Sequence, residues 1–322
     1  MRSHVPARIA VTLVVYAAAA AAHASCGASF CMVNTNWNMQ GFAPEPGLRM
    51  DLRLEYIDQD QPRVGRGKVP FGQIRRHHDE IRTINRNYIA TLDYTMHDGW
   101  SVAATVPVVD RSHDHVHNHL GARLREHWSF AEAGDVQVLA RRQWVSENEG
   151  AQTLSFYGVT FGVKLPTGEF DRRNRTGALA ERSLQPGSGT TDVMLGGFFS
   201  HVVPAANISW FAQAQVQVPT GFREHYKPGK RVTSDIGVRY EVTDGFGLML
   251  QVNGLFRTRD RGRDAEPADT GGTFVFVSPG VSYAILPKTQ VYAFVQKPVY
   301  QYVNGIQITP DWALLLGVTS RF

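Results

Sequence analysis

The chain ends in Asp311-Trp312-Ala313-Leu314-Leu315-Leu316-Gly317-Val318-Thr319-Ser320-Arg321-Phe322, and the reading of this stretch decides the fold. Trp312, Leu314, Leu316, Val318 and Phe322 share one face of an extended chain. Thr319 and Arg321 take the other face with the small Ala313 and Gly317, and Leu315 and Ser320 break the pattern. A two-residue period is the signature of a strand whose two sides meet different surroundings.

The same alternation recurs upstream. Met50, Leu52, Leu54 and Tyr56 oppose Asp51, Arg53 and Glu55; Tyr88, Ala90, Leu92 and Tyr94 oppose Asn87, Thr91 and Asp93. Trp100 to Val106, Tyr157 to Val163, Trp210 to Val218, Val232 to Tyr240 and Phe246 to Val252 repeat it, with weaker runs near 134–144, 191–201, 273–283 and 290–300. The expectation is an all-β chain of about twelve strands.

Alternation alone does not separate a soluble sandwich from a barrel with its apolar face outside. Three observations favour the barrel. Aromatic residues (Trp100, Trp144, Trp210, Phe246, Tyr283, Tyr300, Trp312) stand at strand ends, where interfacial girdles lie. Tight joins at His97–Gly99, Val203–Asn207, Thr243–Gly245 and Ile285–Thr289 alternate with long polar ones at 57–83, 108–134, 166–190, 219–231 and 258–272. The chain also stops on an aromatic residue, Phe322, of an alternating strand, the kind of end that the barrel assembly machinery reads. The expected fold is a transmembrane antiparallel up-and-down β-barrel over residues 48–322, with an even strand number because lipid tolerates no open edge. A periplasmic or secreted sandwich is the alternative, and long loops at one end only argue against it.

The N-terminus reads as an export signal. Arg2 and Arg8 precede an apolar run from Ile9 to Ala22, and Ala22-His23-Ala24 offers a small-residue cleavage site before Ser25. The run is shorter than the roughly eighteen to twenty residues a spanning helix needs. Residues 25–47 are then a periplasmic N-terminal segment. Export implies an oxidising compartment, in which Cys26 and Cys31, the only cysteines, fit a small disulfide. A lipoprotein cleavage box at Cys26, with His23 poorly suited to it, and a thiolate metal site are the rival readings. With 43% hydrophobic and 19% charged residues among 322, the chain is folded rather than disordered. Its net charge of +4, half of it in the leader, gives no reason to expect nucleic acid.

Val106-Pro107-Val108, Leu165-Pro166-Thr167-Gly168, Val218-Pro219-Thr220-Gly221 and Lys297-Pro298-Val299 mark strand tops, where proline costs little because the ladder is ending. These motifs, the stretch Gln185-Pro186-Gly187-Ser188-Gly189-Thr190-Thr191-Asp192 and the ending Pro298-Val299-Tyr300-Gln301-Tyr302-Val303-Asn304-Gly305 resemble an outer-membrane family labelled "putative MetA-pathway of phenol degradation" or simply transporter. The resemblance covers most of residues 150–322. It implies a twelve-stranded type of barrel in the outer membrane of a Gram-negative bacterium, a channel or transporter for a small and often hydrophobic solute. It brings no catalytic residues with it.

The most unusual chemistry is Ser112-His113-Asp114-His115-Val116-His117-Asn118-His119. In an extended backbone His113, His115, His117 and His119 share one face, about 7 Å apart. Imidazole suits copper, zinc or nickel, and Asp114, Glu126 and His127, with His77, His78 and Asp79 of the preceding loop, are candidate neighbours. A metal-loading loop, a merely hydrated loop and a pH-sensing loop all remain open. Arg257, Arg259, Arg261 and Arg263 alternate at a strand top among Asp260, Asp264, Glu266 and Asp269. They read either as anion-favouring groups in the mouth or as a self-neutralised loop that also meets lipopolysaccharide phosphates.

No Gly-x-Ser-x-Gly elbow, phosphate loop, dinucleotide fingerprint or His-Glu-x-x-His motif occurs, and no enzyme is expected. The functional expectation is an outer-membrane channel for a small solute. A transition-metal-binding barrel and a non-conducting, partner-docking barrel are the alternatives.

Overall fold

The computed structural model describes residues 33–37, 45–72, 78–119 and 122–322; for His78, 117–119 and Ala122 only the backbone is described. The expected leader and the expected Cys26–Cys31 disulfide lie outside the described residues. Thirteen strands run from β1 (Gly47–Gly65) to β13 (Thr289–Arg321), each paired antiparallel to its neighbours. The sheet closes through β1 and β13, paired from Arg49 against Arg321 to Gly65 against Val303 with register shifts near Gln59 and Gly65.

The long β13 is two passes. Its first half pairs with β12 (Gly272–Leu286) and its second with β1, which runs opposite to β12, so β13 can be antiparallel to both only by folding back. It does so at Asn304-Gly305. Thr289 Oγ1 lies 2.8 Å from Ser320 Oγ, and the Arg321 amide donates to the Lys288 carbonyl at 3.0 Å. Gly305 has φ +60°, and a Cβ there would meet Asp269 Oδ1 at 2.0 Å, so both conformation and space require glycine.

Two strands stand outside the wall. β2 (Gly67–Lys68) turns back on β1, and β5 (Ala122–Ala133) pairs only with the upper half of β4 (Trp100–His119). The barrel is therefore closed by twelve passes, the even number that lipid demands.

The alternation falls as the surroundings require. Leu52, Leu92, Val159, Leu195, Ile236, Leu250, Val281 and Leu316 are exposed on the outside. Asp51, Glu55, Asp93, Arg141, Lys164, Asp235, Gln251 and Asn253 are buried in the lumen. An apolar outer belt around a polar interior is stable only with hydrocarbon outside, so the chain resides in the outer membrane. Trp144, Tyr157, Trp210, Tyr240 and Tyr283 ring the short-turn end, with Trp144 stacked on Tyr157 at 5.9 Å.

Segment 108–134, expected as a loop, is instead a regular hairpin of β4 and β5 rising above the belt. On β4 the outward residues change from Val102, Val106 and Val108 to Asp110, Ser112 and Asp114, which marks where the strand leaves lipid. Pairing continues there because the backbone still needs partners on both sides, and β3 (His78–Thr95) and β5 supply them.

The segment expected to lie in the periplasm also departs from expectation. Residues 33–37 sit inside the barrel, where Trp37 is 1% exposed and packs with Met249, Tyr292, Phe294 and Leu315. Leu315 breaks the terminal alternation because it faces this ring and not water.

Candidate functional site

The lumen is built from the polar faces of the strands, most of whose charges are matched by neighbours. Arg53 lies 3.2 Å from Glu55 and 3.6 Å from Asp51, and Arg141 lies 3.2 Å from Asp93. Asp235 accepts from Gln213 at 2.6 Å and Asn253 at 2.7 Å.

Two cavities occupy the interior. The upper, about 370 Å³, is lined by the apolar Ile89, Pro107, Val109, Pro186 and Pro228 together with charged residues that include Arg111, Lys164, Asp192 and Arg257. The lower, about 280 Å³, is bounded by residues 33–37. Arg53, Thr105 and Arg231 line both and form the waist between them.

Each end is covered by the chain itself. Below, Trp37 stands edge-on to Tyr292 at 4.7 Å, and its Nε1 donates to Asp51 at 3.2 Å. The Asn34 backbone exchanges two hydrogen bonds with the Gln251 side chain, at 2.9 and 3.0 Å, and Arg141 donates to Asn36 at 3.0 Å. Above, loop 165–191 folds into the mouth. Asp135 pins it, accepting from Lys164 at 2.6 Å and from the backbone amides of Ser188 at 2.9 Å and Gly168 at 3.1 Å. Arg111 donates to the Leu184 carbonyl, and Trp128 Nε1 to that of Ala178 at 3.1 Å.

A third cavity, about 220 Å³, lies among the upper loops and is lined in part by Glu181 and Glu266. Burial pushes Glu181 up to about 7, with His115 opposing and Asp269 reinforcing the rise. Burial, followed by the charge of Glu181, holds Glu266 well above the usual carboxylate range.

Of the four histidines singled out by spacing, His113 and His115 are buried side by side, and their ring centroids are 5.3 Å apart. For His117 and His119 only the strand backbone is described, and His77 lies outside the described residues. Asp114 and His127 pair with each other on the opposite, exposed face at 3.2 Å. Glu126 does reach His115, at 3.1 Å. Asp79 turns away to accept from the Gly72 amide at 2.8 Å. The carboxylate that does join the histidines, Glu80, is one that spacing misses. β3 carries a bulge at Ile81, where Glu80 pairs with His115 and Arg82 with the adjacent Asp114. One extra residue inverts the facing, so Glu80 points inward where strict alternation would place Ile81. Arg257 is bound to Asp260 at 2.7 Å and Arg263 pairs with Asp264 at 3.4 Å, the self-neutralised one of the two arrangements read from the sequence.

A closed antiparallel barrel with an apolar belt and a polar, segment-filled lumen defines an outer-membrane β-barrel of porin type. The chain belongs to the family described as "Putative MetA-pathway of phenol degradation", whose model matches residues 87–304. Among solved structures it is similar to the COG4313 outer membrane channel from Pseudomonas putida F1, at 13% identity and TM-score 0.65, covering 88% of this chain and 98% of that one. Looser likenesses are to the NanC porin (11% identity, 85% of this chain, 100% of that chain, TM-score 0.45) and to the translocator domain of the autotransporter NalP from Neisseria meningitidis (11%, 88%, 91%, 0.45). No curated protein matches.

Proposed function

We propose that the barrel passes a small amphipathic solute, an apolar body bearing a hydroxyl or anionic group, across the outer membrane. The observation that carries this reading is the pair of cavities that share Arg53, Thr105 and Arg231, the upper lined by apolar groups (Ile89, Pro107, Val109) interspersed with charged ones. A small ligand is held by such a combination, apolar surface for its body and a few placed polar groups for its head. The family's description, with its reference to phenol degradation, fits a solute of this kind. Exposed Arg123, Arg125, Arg223 and Arg263 at the loop end suit lipopolysaccharide phosphates, and Phe322 suits the assembly machinery.

The test is transport. Purified, refolded protein in planar bilayers should give discrete openings, and liposomes containing it should admit phenol-sized hydroxylated aromatics faster than protein-free liposomes. Residues 33–37 and loop 165–191, which reach into the two ends, support a second reading, a barrel that stays shut until a partner withdraws the lower segment. A folded protein that neither conducts nor admits solute would favour that reading.

A further inference from the structure

Above the lipid belt β3 and β4 bring Glu80, His113 and His115 together, all fully or almost fully buried. Glu80 Oε2 is 3.2 Å from His113 Nε2, which is 3.2 Å from His115 Nδ1. One ligand atom from each residue lies within 4.8 Å of the other two. An ion held tetrahedrally at about 2.0–2.1 Å places its ligand atoms about 3.3–3.4 Å apart. Two edges of that figure are therefore present to within about 0.2 Å, a shift that side-chain rotation supplies.

The surroundings are those of a metal site. Each imidazole uses its second nitrogen on an outer partner: His113 Nδ1 meets Thr83 Oγ1 at 2.8 Å, and His115 Nε2 meets Glu126 Oε2 at 3.1 Å. Such partners fix the tautomer and ring orientation, and a carboxylate raises the basicity of the ligating nitrogen. The Trp128 ring lies 4.7 Å from the His115 ring and 5.8 Å from that of His113, closing one side against water.

We propose that Glu80, His113 and His115 bind a divalent transition-metal ion of zinc type. Two imidazoles and a carboxylate suit such an ion and leave a fourth position for water or a further oxygen. The bound ion ties β3 to β4 above the membrane. Through Trp128, which packs on Ala180 and Leu184, it also steadies the loop that covers the mouth. The site is independent of the solute, so failure of either proposal leaves the other standing.

The experiment uses the full mature barrel, refolded in detergent and stripped with a chelator. Cobalt(II) is added as a spectroscopic probe, then zinc. One equivalent of cobalt should give the intense visible bands of a low-coordinate ion, and one equivalent of zinc should erase them. Glu80→Gln should weaken zinc binding at least tenfold, and His113→Gln should abolish the cobalt bands. Glu126→Gln, which changes only the outer partner, should weaken binding about 10- to 100-fold and remains informative if a buried variant fails to fold. His117→Ala with His119→Ala should change nothing. Absence of saturable binding to the folded wild type would overturn the proposal, and so would loss of binding in the His117/His119 variant with retention in Glu80→Gln.

Discussion

Trp37→Ala tests whether residues 33–37 stopper the barrel. Trp37 is 1% exposed, stands against Tyr292 and donates to Asp51. Truncating a buried tryptophan costs about 3–5 kcal/mol. Residues 33–37 belong to no ladder, so most of that loss falls on docking of the segment and not on the barrel. Among the described contacts that remain are Val33 and three polar contacts of Asn34 and Asn36, each worth about 1 kcal/mol. At about 1.4 kcal/mol per decade, even the low end of 3 kcal/mol lowers the docked-to-undocked ratio about a hundredfold. In planar bilayers the closed-to-open ratio should fall by that factor at unchanged single-channel amplitude, while heat-modifiable mobility stays that of a folded barrel. Deleting residues 33–37 should give the same channel. If neither variant differs from wild type in conductance, the segment does not limit passage and the reasoning is wrong.

Gly317→Ala should act on the same stopper from the wall: the added Cβ would meet Tyr292 Cζ at 2.3 Å, displacing the ring against which Trp37 packs, and raised channel activity in a folded barrel is the expected readout. Asp135→Asn removes the carboxylate that holds Lys164 and two loop amides, a loss of about 3–5 kcal/mol for a broken buried pair. Trypsin should then cut at Arg172, Arg173 or Arg175 much faster than in wild type, and equal rates would count against the pinning role. Glu181, raised to about 7 mainly by burial, is neutral in the folded loop at low pH and must ionise there above it. Its folded value exceeds the ordinary 4.5, so the loop loses stability as pH rises from about 4.5 to 7. In metal-free protein, cleavage of 165–191, normalised to an unfolded control, should quicken between about pH 5 and 7, and Glu181→Gln should reduce that rise. Deleting Phe322, whose amide donates to Leu48 at 2.8 Å across the closing seam, should reduce heat-modifiable protein in the outer membrane.

Much of the wall was legible because the surroundings of a strand impose a period of two, and Leu52, Leu92, Leu250 and Leu316 obey it on the lipid side. What escaped lies where a residue answers to something other than the wall. Leu315 breaks the pattern because it meets Trp37, a contact between positions 278 residues apart in the chain that no local period encodes. Glu80 escaped because the bulge at Ile81 shifts the facing by one residue without any proline or glycine to announce it. The histidine pair was visible in the spacing, but its setting was not: a polar run between two apolar strands reads as a loop. The usable signal was the change from Val106 and Val108 to Asp110, Ser112 and Asp114 on one face while His113 and His115 kept the other. Polarity changed outside but the period continued, which describes a strand leaving lipid and not a chain leaving the sheet.

The two closures follow from the size of the barrel. Eight strands leave an interior that their own side chains fill, whereas twelve leave more room than the inward residues of the wall can occupy. Here the surplus is taken up by residues 33–37 from one side and loop 165–191 from the other, and what they leave is the pair of cavities meeting at Arg53, Thr105 and Arg231. The ladder is continuous around the circumference, so opening the wall would strand backbone donors in lipid at several kcal/mol each. Withdrawing an inner segment leaves that ladder intact, and the polar groups it releases find water in the lumen. A solute path in this barrel is therefore expected to be governed by the inner segments, with Trp37 and Asp135, not the lipid-facing wall, expected to set its opening.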